Sequence, residues 1–463
     1  MEDIPSSGSK MKKERWVLVL LLATAMLLRL GLGLVNRDAN DNHVEVVSLI
    51  VDTHKLPEKH ACWSCYQPKL YYLVCAGVVS LLNVKENSVR ILTMQLVNVF
   101  ISFFILILFW KFIDTQSLST RSKYVLFVFF AFNPCLIGIN VQSTNDTLAI
   151  FCGVLAVYAC DAFFQRKKMI WAVVLLAALL AGALTKASIL VLTGAIGIAF
   201  LIRICVQPGL KSKAKAAGYF LLPGLFFITI VLFAGEYYRN YTKYKNLTIS
   251  TWEKDPPAAF FKRTFIGRPG IESLWRGFFT FRLLDMTRQP YINNEKTHYP
   301  AHRTSLWSQL YGRTMFMRFD QWPMSWQSRA PNIVIIGRPL IILGLVPLAF
   351  FLAGLFRNSV GFLKHLVKME GAYLADPQNY FYLIVTLAFL AASVFYTYNY
   401  RDFSSMKSIY IFPGLLAFIK MFVDGFALLK SRRILLLVEL VLAVIVLLSI
   451  ADVLFLTKQL AHW

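Results

Sequence analysis

Asp38, Asp41, His43 and Glu45 lie close together just past the first long apolar run of the chain. Carboxylates at a membrane surface are costly to desolvate, so such a cluster calls for a reason. Asp41 and Glu45 are four residues apart and would share one face of a helix. Two acids on one face can divide roles, one taking a proton while the other orients a group or holds a metal. The bland alternatives are solvated acids at a helix end for Asp38 and Asp41, and an interfacial ring for His43.

Other polar residues at the ends of apolar runs could join them. Lys69, Tyr71 and Tyr72 follow in the same loop, after Cys62-Trp63-Ser64-Cys65-Tyr66-Gln67-Pro68. Gln142, Asn145 and Asp146 form one later turn, and Thr185, Lys186 and Ser188 another. A long polar stretch adds His298, His302, Arg303, Arg313 and Asp320, and the last turn adds Arg401 and Lys407. Each also has a structural reading. Asn145 and Asp146 suit a helix N-terminus, Lys186 can snorkel, and Arg401 and Lys407 can anchor a span or bind a lipid phosphate. Arg29, inside the first run, is expected to pair with a carboxylate or to snorkel.

The elements that must position these residues are membrane helices. Of 463 residues, 57% are hydrophobic and only 16% charged, with a mean hydropathy of +0.56. A soluble domain cannot hide that much apolar surface. The net charge of +23 comes from bases flanking apolar runs. That pattern fits orientation in a membrane and contact with anionic lipid, not nucleic acid. Runs of spanning length fall near 16–35, 89–110, 123–141, 146–164, 169–185, 187–206, 217–236, 333–356, 379–398, 408–428 and 434–457. An all-α polytopic protein of about eleven spans follows. The segments are a cytoplasmic tail at 1–15, a membrane module at 16–236 that includes the first outer loop 36–88, a large outer loop at 237–332, and C-terminal spans at 333–463. The run 69–82 is short. If it does not cross, the bases near 121, 167, 213, 364 and 432 all fall inside, while the short outer turns carry only Lys186, Arg401 and Lys407. We therefore expect 69–82 to be re-entrant or interfacial on the outer side, and all the polar residues above to converge there. The start reads as an uncleaved signal anchor. Of the seven cysteines, Cys62 and Cys65 alone sit in a loop; a local disulfide or plain packing suits them better than zinc.

The segments Asp38-Ala39-Asn40-Asp41-Asn42-His43, Tyr66-Gln67-Pro68-Lys69-Leu70-Tyr71-Tyr72 and Gln142 to Asp146 resemble the GT-C superfamily of integral membrane glycosyltransferases. The likeness is to the family 39-like branch of protein O-mannosyltransferases and aminoarabinose transferases, over residues 16–200. The resemblance implies a polyprenyl-phosphate sugar donor, a lipid, glycan or protein acceptor, and inverting transfer with Asp41, or else Asp38, as general base. From the convergence of polar residues, the candidate substrate contacts are His43, Glu45, Lys69, Tyr71, Gln142, Asn145, Asp146, Lys186, His302, Arg303, Arg401 and Lys407. A divalent cation, Mg or Mn, is compatible with the family, but Asn42 stands where a second acid often sits. Gln67-Pro68-Lys69 also replaces the family's His-Pro-Pro.

Two other classes compete: a transporter or flippase of an anionic lipid or lipid-linked sugar, and a non-catalytic subunit of an envelope-assembly complex. Asn145, Asn240 and Asn246 begin sequons that would matter only in a eukaryotic lumen. No eukaryotic retention signal is seen, so a bacterial or archaeal cytoplasmic membrane, with the site outside, is expected. The charge asymmetry makes a direct prediction. A cysteine placed at residue 213 or 364 should resist a membrane-impermeant thiol reagent added to intact cells, and labelling there would invert the topology.

Overall fold

The computed structural model describes residues 7–39, 41–206, 227–232, 234–245, 274–292, 301–320, 323–327, 332–400 and 406–462, with the single positions 209, 218, 224 and 247. Among these the chain is helical and contains no strand. The helices used below are α1 (Ser7–Val35), α2 (His43–Thr53), α3 (Leu70–Leu81), α4 (Asn87–Asp114), α5 (Thr120–Ala131), α6 (Pro134–Asn140), α7 (Asp146–Arg166), α8 (Met169–Ala183) and α9 (Ile189–Cys205). They continue with α10 (Tyr237–Tyr244), α11 (Leu306–Met315), α12 (Asn332–Leu343), α13 (Leu345–Val367), α14 (Phe381–Tyr400), α15 (Leu415–Phe426) and α16 (Arg432–Ala461). Single helical turns lie between several of them.

Among the described residues, six stretches are long and apolar enough to cross a membrane: Arg15–Val35, Asn87–Asp114, Asp146–Arg166, Ile333–Val367, Phe381–Tyr398 and Arg432–Ala461. The protein is therefore read as membrane-embedded. A seventh span is formed if α5 and α6 count as one, bent by 49°. Fewer uninterrupted spans are seen than the eleven expected, for physical reasons. α8 and α9 have 15 and 17 residues, short of the roughly 20 needed for a straight crossing. The run 408–428 opens in 3₁₀ turns and keeps only 12 α-helical residues in α15. Nine of the twenty residues of 217–236 lie outside the described residues. α3 has 12 residues, about 18 Å at 1.5 Å each, too short to cross unaided.

The bend between α5 and α6 has a local cause. Pro134 cannot continue the α5 hydrogen-bond ladder and restricts Asn133 before it. The Asn133 side chain then caps α6 by accepting from the Leu136 amide at 3.0 Å. The break is used by Arg29. Among the described residues this fully buried guanidinium meets no carboxylate, and it does not snorkel; it donates to the Ala131 carbonyl at 2.8 Å and the Ala25 carbonyl at 3.0 Å. The bend thus exposes a backbone acceptor, and Arg29 locks α1 to it.

Two features hold the C-terminal half. Arg318 of the outer loop and Asp452 of α16 form a fully buried ion pair, with Nε 2.8 Å from Oδ1. Asp452 stands inside an apolar run, where a carboxylate survives only when paired. α13 and α15 pack backbone to backbone at Gly354 and Gly425: a methyl group on Gly354 would overlap the Met421 carbonyl, and one on Gly425 the Phe350 carbonyl. Small residues allow such approach where lipid supplies no hydrophobic drive.

The first outer loop builds a small core of its own. Val44, Val46 and Val47 of α2 pack with Cys62, Cys65, Tyr71, Tyr72 and Cys75, against Ile91 and Met94 of α4. Cys62 and Cys65 form a disulfide, with Cα atoms 5.1 Å apart.

Helix contact at the glycines can be tested. Gly354→Ala should lower stability by more than about 2 kcal/mol, because a backbone carbonyl cannot step aside as a side chain can. Gly361, on the same helix with open space around it, should tolerate alanine with little change. Thermal unfolding in detergent distinguishes the two, and equal melting temperatures would refute backbone contact.

Candidate functional site

The turn that enters α2 is unusual. Asp41 and Asn42 both lie in the left-handed backbone region, at φ 56° and 53°. Asp and Asn tolerate it better than most residues, but it still needs support from around it. Asn42 Nδ2 donates to the Glu45 carboxylate at 2.8 Å, and the Glu45 amide returns to the Asn42 carbonyl at 3.2 Å. The buried Ser64 hydroxyl donates to the Asp41 carbonyl at 2.9 Å. The turn leaves the Asp41 side chain exposed beside a cavity of about 480 Å³.

Several parts of the chain enclose that cavity. The first outer loop gives Asp41, His43, Tyr66 and Gln67; the turns before α7 and α9 give Gln142, Asp146, Lys186 and Ser188. α10 gives Tyr237 and Asn240, and the outer loop gives Arg313 and Asp320. The last turn gives Lys407 and Tyr410. One wall is apolar, with Leu190 and Val191 of α9 facing Phe389, Ala392 and Phe395 of α14. Lys186 pairs with Asp146 and lies 5.5 Å from the centre of the Tyr410 ring. Arg313 and Asp320 are 3.1 Å apart. Three carboxylates and three cations therefore share one cavity, and four of these six groups form two ion pairs.

His43 is buried behind Asp41, its Nδ1 2.6 Å from the Tyr72 hydroxyl. Burial pulls its pKa down to about 4. Asp41 and Asp146 oppose that shift, while Lys186 and Lys407 add to it. The ring is thus neutral at ordinary pH, a hydrogen-bonding wall and not a cation.

The expected residues divide. Asp41, His43, Gln142, Asp146, Lys186 and Lys407 line the cavity. Asp38 does not: its carboxylate accepts from Ser325 Oγ at 3.0 Å and holds the turn Met324–Gln327 in place. Glu45 is occupied with Asn42, Lys69 is buried and donates to the Cys65 carbonyl, and Tyr71 is buried against Tyr72. Asn145 is buried and bridges Gln67 to the Thr185 carbonyl. Arg303 is buried away from the cavity lining. The His302 side chain and Arg401 lie outside the described residues. Sequence reasoning left Arg313 and Asp320 without a role. Their spacing of seven residues carries no signal, because the pair forms only where α11 ends and the chain turns back. Asn240 is buried and donates from Nδ2 to the Leu247 carbonyl at 3.0 Å, so its sequon is closed in the folded chain.

Among the described residues, no three His, Cys, Asp or Glu side chains come together to hold a metal ion. Asp146 is neutralised by Lys186 and Asp320 by Arg313. The donor set among the described residues does not fit a divalent cation.

The buried neutral His43 should show in stability. An unfolded chain takes a proton on this ring below about pH 6.5, and the folded one only near pH 4. Stability is therefore fully present above pH 6.5 and falls as pH drops through that window, by about 3 kcal/mol at most. His43→Gln should flatten the fall of melting temperature between pH 7 and pH 4. An identical profile in the variant would show that the ring is not a buried neutral group.

No family model matches this chain, and no curated protein is similar to it. The functional reading accordingly rests on the cavity and on the residues that line it.

Proposed function

We propose that this protein is a GT-C-type membrane glycosyltransferase that moves a sugar from a polyprenyl phosphate to an acceptor hydroxyl at the extracytoplasmic face. The observation that carries the reading is Asp41 sharing one cavity with Lys186, Arg313 and Lys407, beside an apolar wall between α9 and α14. The proposed donor has the same three parts: a sugar, a phosphate and an apolar tail.

In the proposed reaction Asp41 accepts the acceptor's proton as its oxygen bonds the anomeric carbon. The bond from that carbon to the phosphate oxygen breaks on the opposite face, inverting the centre. A positioned carboxylate base contributes roughly a hundred- to ten-thousand-fold. The departing phosphate gains negative charge, which Lys186, Arg313 and Lys407 are placed to stabilise. Tyr66 and Tyr410 offer rings and hydroxyls for the sugar, and Tyr237, whose hydroxyl donates to the Ala183 carbonyl at 2.8 Å, offers only its ring. The transporter alternative would favour ionisable groups near the bilayer midplane on broken helices. Here they gather at span ends and in the loops that join them.

The reading is tested in native membranes with a panel of radiolabelled polyprenyl-phosphate sugars. Asp41→Asn keeps size and hydrogen bonding but removes basicity. It should cut turnover by about a hundredfold or more while expression and donor binding stay near normal. Asp38→Asn should leave turnover nearly unchanged, because its carboxylate serves Ser325. Near-normal transfer by the Asp41 variant would end the enzymatic reading and favour transport.

A further inference from the structure

The segment Cys62-Trp63-Ser64-Cys65 takes no part in the chemistry proposed above, yet its geometry converges on Asp41. The disulfide closes a tight ring in which the Cys65 amide donates to the Cys62 carbonyl at 3.3 Å and the Gln67 amide to the Ser64 carbonyl at 3.2 Å. Lys69 reaches back to the Cys65 carbonyl. Ser64 inside this ring is 1% exposed, and its hydroxyl points across to the Asp41 carbonyl. Asp41 itself holds a left-handed backbone conformation that a non-glycine residue keeps only when neighbours enforce it. The residues straight after the ring, Tyr66 and Gln67, line the same cavity.

We propose that Ser64 is a positioning residue for Asp41, and that the Cys62–Cys65 bridge is the clamp that holds Ser64 in place. The proposal rests on the reading of Asp41 as the base. The hydroxyl fixes the Asp41 carbonyl, the carbonyl fixes the turn at 41–42, and the turn aims the carboxylate into the cavity. Cys65 is fully buried and Cys62 nearly so, which suits a permanent clamp and not a switch opened by solvent thiols. A displacement of about 1 Å at a reacting group can cost a hundredfold in rate, so a hydrogen bond remote from the substrate can govern turnover.

Two measurements on the full-length protein in detergent test this, using Ser64→Ala and the paired change Cys62→Ser with Cys65→Ser. The first is amide hydrogen exchange over residues 36–48. Both variants should exchange faster there, while the peptide covering 146–166 stays unchanged. Unaltered exchange at 36–48 in either variant overturns the clamp, whatever the activity. The second is transfer from a radiolabelled polyprenyl-phosphate hexose. Ser64→Ala should lower kcat about tenfold with donor KM unchanged, Ser64→Thr should restore much of it by returning the hydroxyl, and Ser64→Ala added to Asp41→Asn should cost nothing further. An equal loss in the Asp41→Asn background overturns the positioning role. If Asp41→Asn is itself fully active, the proposed function fails, and the exchange result alone decides whether the clamp exists.

Discussion

One buried amide ties the cavity side of the protein together. Asn145 donates from the same Nδ2 to the Gln67 side chain and to the Thr185 carbonyl at 2.9 Å. Those contacts join three segments: the loop 36–88, the turn before α7 and the turn before α9. The Leu70 amide, donating to the Leu184 carbonyl at 3.0 Å, ties the first to the third as well. A buried amide left without partners costs more than its bonds contribute when made, so the three segments must arrive together. The neighbouring residues of the same turns then fall on one surface. Asp146 meets Lys186 because Asn145 has already brought their turns together, and Gln67 reaches the cavity rim by the same bond.

A second amide does comparable work at the end of α1. Asn36, fully buried just past the C-terminal end of α1, donates to the Val141 carbonyl at 3.0 Å and accepts from Trp326 Nε1 at 3.2 Å. Ser325 beside that tryptophan bonds Asp38, and Gln459 of α16 donates to the Ser325 carbonyl at 3.0 Å. The outer loop is thereby sewn to the first and last spans, with the buried Arg318–Asp452 pair as a further stitch. Asp38 belongs to this network. That is why two acids three residues apart, alike in sequence, take different parts: one faces a serine that anchors a turn, the other faces open space.

The class of protein was legible from composition, and the convergence of Asp41, Asp146, Lys186 and Lys407 from their places at the ends of apolar runs. Periodicity and charge asymmetry carry those signals over long stretches. Less legible were the breaks and the short-range bonds. The 123–141 run reads as continuous because Pro134 sits in apolar company, and only the structure shows Arg29 taking the carbonyl freed beside the break. Glu45, Lys69 and Tyr71 look chemically ready in sequence, yet each is occupied by a neighbour four residues away or fewer. Asn145 reads equally as ligand, cap or tie, since an amide suits all three. Arg313 and Asp320 come from a long loop whose folding no local pattern announces.

The pairing of cations inside the cavity has a consequence for any anion that enters. A lone lysine on a flexible stem would lose about 2 kcal/mol of rotamer freedom on being fixed against a phosphate. Lys186, held by Asp146 and resting on the Tyr410 ring, has already lost it, and Arg313 is fixed in the same way by Asp320. The carboxylates that order these cations also cancel part of their field. The cavity therefore attracts a resting monoanion less strongly than three bare cations would. Preordered partners respond most to charge that grows where they already point, since they need no reorganisation as it develops. In the proposed transfer the leaving phosphate is the group that gains charge, so the paired arrangement favours the transition state over the bound donor, the difference on which a rate enhancement depends.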